Sequence, residues 1–124
     1  CEVALAGGVN LMLTPFVTIM ESRAQMLSPD GRCKTFDRTA NGYVRGEGGG
    51  IIVLKSLSAA IRDNNLILGL IKGSAVNHGG TSSGLTVPNQ LSQEQLIRQA
   101  LKNAQVKPED ISYIEAHGTG TSLG

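Results

Sequence analysis

Chemistry-bearing side chains are sparse in this sequence, with two histidines and two cysteines among 124 residues. The most suggestive group stands at the end, in Glu115-Ala116-His117-Gly118-Thr119-Gly120-Thr121. The apolar run Ile111 to Ile114 ahead of it reads as a buried strand, bounded by Pro108-Glu109-Asp110 and by glycines. His117 then falls just past the strand's carboxyl end, where ligands collect in open α/β sheets. Gly118 and Gly120 lack a Cβ and let a guest approach the backbone. If the segment stays extended, a period of two places His117, Thr119 and Thr121 on one face. One imidazole and two hydroxyls would then meet the same guest. A solvated histidine on a glycine-rich loop fits the same local features, and these do not decide between the two.

The other candidates are weaker. Arg32-Cys33-Lys34 puts a thiol between two cations, which lower a thiol's pKa and raise its thiolate fraction. Its flanks are loop-like, however, and no histidine is near in sequence, which favours an ordinary loop cysteine. Glu47, among glycines, reads as a general base or as a structural carboxylate paired with Arg45, and the second is favoured. His78, in Asn77-His78-Gly79-Gly80-Thr81-Ser82-Ser83-Gly84, reads as a loop-surface histidine. Its distance in sequence from His117 has no metal-ligand spacing, so no metal is expected.

Strands and helices must position these groups. Val3 to Leu13 reads as a buried strand in which Gly7-Gly8 permits close approach of another backbone. Thr14-Pro15 opens a helix over Pro15 to Arg23, with Thr14 as cap and Phe16, Ile19 and Met20 buried. Leu27 to Gly31 and Asp37 to Gly42 are turns by composition. Ile51 to Leu54 reads as a strand buried on both faces. Ser58 is the expected cap of a short helix, Ala59 to Arg62, ended by Asp63-Asn64-Asn65. Leu66 to Val76 is a further strand. Ser92 and Gln95 fit a capping box, with Leu91 and Leu96 as its staple. Leu96, Ile97, Ala100, Leu101 and Ala104 make one apolar stripe. A right-handed crossover would pair Leu66–Val76 in parallel with Ile111–Ile114, setting His78 beside His117.

The bulk composition removes several classes. Net charge is +1 and aromatic residues make up 3%, with no basic run, so nucleic-acid binding has little support. No apolar stretch is long enough to span a bilayer, and no charged-then-apolar leader opens the chain. The two cysteines form neither a disulfide framework nor a zinc motif, and a reducing cytoplasm is the expected compartment. Sixteen glycines, clustered at element ends, suggest tight turns around a site. The chain opens on Cys1 and stops at Gly124 inside a motif, and is expected to be an internal excerpt, residues 1–124 forming one partial domain.

Six stretches, in order, resemble the ketosynthase (beta-ketoacyl synthase) domains of modular type I polyketide synthases. They are Ala4-Leu5-Ala6-Gly7-Gly8-Val9-Asn10, Leu27-Ser28-Pro29-Asp30-Gly31-Arg32-Cys33, Gly42-Tyr43-Val44-Arg45-Gly46-Glu47-Gly48, Gly73-Ser74-Ala75-Val76-Asn77, Leu85-Thr86-Val87-Pro88-Asn89 and Glu115 to Thr121. The resemblance implies an α/β, thiolase-like layered fold, of which this chain covers the end of the first half and the start of the second. It implies decarboxylative Claisen condensation of an acyl-cysteine thioester with a malonyl unit on an acyl carrier protein. His117 matches the first of the family's two histidines, which hydrogen-bonds the malonyl thioester carbonyl. Thr119 and Thr121 match threonines that contact the phosphopantetheine arm. That arm belongs to the carrier protein, so no cofactor of the chain's own is implied. The nucleophilic cysteine would lie upstream of Cys1, and a lysine and second histidine downstream of Gly124; Cys33 matches a position that is not the nucleophile. Many relatives carry aspartate where Gly79 stands, which leaves the reaction class untouched. A homodimer of the full domain is also implied, and the chain alone is expected to be inactive.

Two other functions remain in view. A non-condensing decarboxylase or chain-length-factor relative would share these residues and differ at the cysteine position. Gly118-x-Gly120-x-x-x-Gly124 after a strand also resembles a dinucleotide-binding phosphate loop, though a histidine precedes its first glycine and five motifs go unexplained.

Overall fold

Val3–Asn10 forms strand β1 in the computed structural model, which describes residues 1–84 and 87–122. Leu85 and Thr86 of the fifth motif, and Leu123 and Gly124, the last glycine of the phosphate-loop pattern, lie outside the described residues. The chain divides into two compact units. One holds residues 1–33 and 42–70; the other holds residues 34–41 and 71–124.

In the first unit β1 pairs antiparallel with β2, Gly48–Lys55, in a register running from Val3 opposite Lys55 to Asn10 opposite Gly48. The expected close approach is real at Gly7, where a Cβ would stand 2.5 Å from the Gly50 carbonyl oxygen. Glycine is therefore a steric requirement of the ladder there. Helix α1, Phe16–Arg23, starts one residue later than expected. Pro15 occupies the cap position with no side-chain hydrogen bond, so the Thr14 hydroxyl does not cap it. Phe16, Ile19 and Met20 are exposed.

Helix α2, Leu57–Arg62, is capped by Ser56, whose Oγ accepts from the Ala59 N–H, and not by Ser58. Ser56 leaves β2 with extended backbone (ψ 142°), the geometry that a cap residue needs. The turn at Leu27–Gly31 is tied to Gly42-Tyr43 by two hydrogen bonds, Ser28 N–H to Tyr43 O and Tyr43 N–H to Met26 O. Arg45 pairs with Glu21 at 3.1 Å and donates to Thr18 Oγ1 at 2.8 Å. The pairing expected between Arg45 and Glu47 is thus replaced, and Glu47 instead accepts from the Met12 N–H.

The second unit is organised on helix α3, Gln90–Ala104. Asn89 caps it, its Oδ1 accepting from Ser92 N–H at 3.1 Å, so the helix begins before the expected Ser92–Gln95 box. Asn89 wins because its Nδ2 is also anchored, donating to the Thr81 carbonyl at 2.9 Å. Leu96, Ala100, Leu101 and Ala104 of the stripe are half-buried, while Ile97 is exposed.

Residues 74–78 run along α3 in the opposite direction. Asn103 Nδ2 donates to the Ser74 carbonyl at 2.8 Å near one end. Asn77 Nδ2 donates to the Ser92 carbonyl at 2.7 Å, and Ser92 Oγ to the His78 carbonyl at 2.9 Å, near the other. Ser92 to Asn103 rises about 16 Å along a helix, and four extended residues reach about 13 Å. Side-chain reach makes up the difference, as expected for an extended segment laid on a helix.

The expected strands at Leu66–Val76 and Ile111–Ile114 do not pair. Among the described residues the sheet has two strands only, β1 and β2. Parallel ladders are weaker than antiparallel ones and form where both faces are covered. Here Leu66, Leu68, Ile71 and Val76, with Ile111 and Ile114, are exposed, so neither segment has the cover that would hold a ladder.

Candidate functional site

The end of the second unit carries the His117 loop, and its backbone is not extended. Gly118 has φ +46° and Gly120 has φ +74°, left-handed values that replace the straight run expected from the sequence. The two threonines nevertheless come together, with Thr119 Oγ1 and Thr121 Oγ1 3.2 Å apart. Curling at Gly120, the residue between them, substitutes for the two-residue period in bringing them side by side. Both threonines are half-buried and Gly120 is buried, whereas His117 is exposed.

A residue that the motifs do not include reaches this loop. Thr35 Oγ1 donates to the Gly118 carbonyl at 2.6 Å across 83 positions of sequence. Its methyl group occupies the space next to Gly118, where a Cβ would come within 2.8 Å of Thr35 Cγ2. The turn carrying Thr35 is laced by Asp37. The Asp37 N–H donates to the Lys34 carbonyl, and Asp37 Oδ1 accepts from Thr39 N–H at 2.7 Å and Thr39 Oγ1 at 2.6 Å. The bonds from the Thr39 hydroxyl and N–H, with Lys34 nearby, hold the Asp37 carboxyl below the usual carboxylate range. Upstream of the histidine, Tyr113 donates its hydroxyl to Glu115 at 2.6 Å, which pushes the phenol above its ordinary value.

His78 accepts the Gly80 N–H on Nδ1 at 2.9 Å. No hydrogen bond or strand ladder joins the His78 and His117 segments among the described residues, so the expected side-by-side placement is not formed through a sheet. Cys33 is exposed in the first unit, its Sγ accepting the Val44 N–H at 3.1 Å. Among the described residues no group of three His, Cys, Asp or Glu side chains is placed to hold a metal. A hollow of about 500 Å³ in the first unit is lined by Leu13, Pro15, Leu27, Tyr43 and Arg45, among others. Burial pushes the Tyr43 phenol up, and the Glu21 carboxylate adds to it. None of His117, Thr119 or Thr121 lines that hollow.

Residues 1–60 match the family model of the beta-ketoacyl synthase N-terminal domain, and residues 68–124 that of the C-terminal domain. The chain therefore belongs to the beta-ketoacyl synthase family, as a segment of a polyketide-synthase ketosynthase with the thiolase-like fold. It is 56% identical over 123 residues to a phenolphthiocerol/phthiocerol polyketide synthase of Mycobacterium tuberculosis, covering 99% of this chain and 6% of that protein. It is 52% identical over 124 residues to polyketide synthase PksN of Bacillus subtilis, covering all of this chain and 2% of that one.

Among solved structures, an oxazolomycin ketosynthase domain of Streptomyces albus superposes with a TM-score of 0.96 at 48% identity. The match covers 100% of this chain and 22% of that domain. The ketosynthase from module 6 of the Bacillus subtilis bacillaene synthase gives a TM-score of 0.92 at 49% identity, covering 97% and 22%. The two family models meet between residues 60 and 68, consistent with a chain that spans the join of the fold's two halves. The dinucleotide-binding alternative has no support from these relatives.

Proposed function

We propose that this chain is the middle of a ketosynthase that extends a polyketide by decarboxylative Claisen condensation. An acyl chain is carried as a thioester on a cysteine outside these residues. A malonyl thioester on an acyl carrier protein loses carbon dioxide, and its C–C bonding pair becomes an enolate. The enolate carbon attacks the acyl thioester carbonyl; a carbon–carbon bond forms, and the cysteine leaves as thiolate. The product is a β-ketoacyl chain, two carbons longer, on the carrier protein.

Decarboxylation places negative charge on the malonyl thioester oxygen, so a donor aimed at that oxygen lowers the barrier. His117 is the donor in this reading. An exposed imidazole at a glycine-flanked turn reaches a thioester without breaking a bond of its own, and preorganised donors of this kind carry large effects. Thr119 and Thr121 take the phosphopantetheine arm, whose two amides and one hydroxyl suit two adjacent, half-buried hydroxyls. The pairing of those hydroxyls at 3.2 Å is the observation that best supports the reading. The arm arrives with the carrier protein, so the chain needs no cofactor of its own. The domain would work as a homodimer in a reducing cytoplasm.

The experiment uses the full domain, loaded with a short acyl thioester and given malonyl-carrier protein. A β-ketoacyl product two carbons longer is expected by mass spectrometry. Carbon dioxide release without a new carbon–carbon bond would show a decarboxylating relative instead.

A further inference from the structure

We propose that Thr35 is a positioning residue for the His117 loop, acting through the Gly118 carbonyl. The proposal rests on the ketosynthase reading and adds a residue outside all six matched motifs. Gly118 and Gly120 are both left-handed, and glycine alone has many other conformations open to it. Something must select this one. Thr35 meets Gly118 twice, with its hydroxyl on the carbonyl at 2.6 Å and its methyl 2.8 Å from where a Cβ would stand. The Gly118 carbonyl belongs to a planar peptide whose other side carries the Thr119 N–H, so fixing one orients the other. His117 precedes that peptide and the Thr119–Thr121 pair follows it. A single hydrogen bond therefore sets the imidazole relative to the two hydroxyls.

Thr35 is itself held in place. It lies in residues 34–41, which group with residues 71 onward and not with their own neighbours in sequence. The Asp37 bonds close this turn, and the Ala40 N–H donates to the Asp37 carbonyl at 3.0 Å. Phe36, next to Thr35, has φ +63°, an uncommon state for a bulky side chain. Such strain persists only where surrounding contacts over-determine the backbone.

The test compares T35V, which keeps the shape and loses the donor, with T35S, which keeps the donor. Both are made in the full domain. The readouts are kcat and KM for malonyl-carrier protein, the rate of self-acylation by a short acyl thioester, and the thermal midpoint. Misplacement of a reacting group by about 1 Å costs up to 100-fold, so T35V is expected to lose at least about tenfold in condensation kcat. Its acylation rate and thermal midpoint stay near those of the unsubstituted domain, and T35S recovers condensation. Native kcat in T35V, an equal loss in acylation and condensation, or a T35S no better than T35V would overturn the proposal. H117A in the same assay separates the two levels. Native condensation by H117A overturns the ketosynthase role of His117 and this proposal with it. Loss in H117A beside native T35V overturns the role of Thr35 alone.

Discussion

Gly118 is constrained twice, by a φ of +46° and by Thr35 Cγ2, 2.8 Å from where a Cβ would stand. Left-handed backbone costs an L-residue about 1–2 kcal/mol, and the steric contact adds to it. Gly118→Ala in the full domain is therefore expected to lower the denaturant midpoint and to reduce condensation more than acylation. A midpoint and rates equal to the native ones would show that the loop tolerates a side chain. Asp37 offers a separate reading at this scale. Its carboxyl is held low chiefly by the Thr39 hydroxyl and N–H. A carboxylate with a depressed native pKa stabilises the fold fully above the unfolded value of about 4, and that stabilisation is lost as pH falls through the native value. Thr39→Val removes one donor, so the Asp37 titration followed by NMR should shift upward. An unchanged midpoint would mean that the hydroxyl does not hold the charge.

Elements show what the sequence can disclose. β1, β2 and α1 were legible in place because local signals sufficed, apolar runs for the strands and Pro15 for the helix start. But β1 ends at Asn10 and not Leu13, and both strands, expected to be buried, are largely exposed. Cap choice was not, because Ser56 and Ser58 or Asn89 and Ser92 are equivalent by type, and the decision lies in distant partners such as the Thr81 carbonyl. Asn89→Ala should therefore destabilise the domain by about 1 kcal/mol, the usual worth of a helix cap, while Ser58→Ala leaves stability unchanged. Equal effects would contradict the cap assignment. His117, Thr119 and Thr121 were singled out by the terminal motif, and the resemblance supplied their proposed roles. Thr35 left no local trace, since its contact with Gly118 spans 83 positions. Leu66–Val76 and Ile111–Ile114 have the composition of strands, but composition cannot provide the neighbours that a ladder requires.

At the scale of the molecule, the apolar runs have little to pack against. Among the described residues the buried hydrophobic side chains are Ala59 and Ala60, while Leu68 is 93% and Val76 96% exposed. The chain spans 22% of the ketosynthase chains that it matches, and its exposed apolar residues suit contact with the remainder. Residues 1–124 expressed alone are accordingly expected to self-associate and to lack a cooperative unfolding transition, observable by analytical ultracentrifugation and near-UV circular dichroism. A monomer with a sharp transition would run against this. The central claim for this chain is that His117 serves the condensation, and condensation kcat of the full domain carrying His117→Ala measures that role. Loss of a preorganised donor to a developing oxyanion predicts a fall of about 10²–10³-fold in kcat, with self-acylation by the acyl thioester retained. Condensation at the native rate would remove His117 from the reaction.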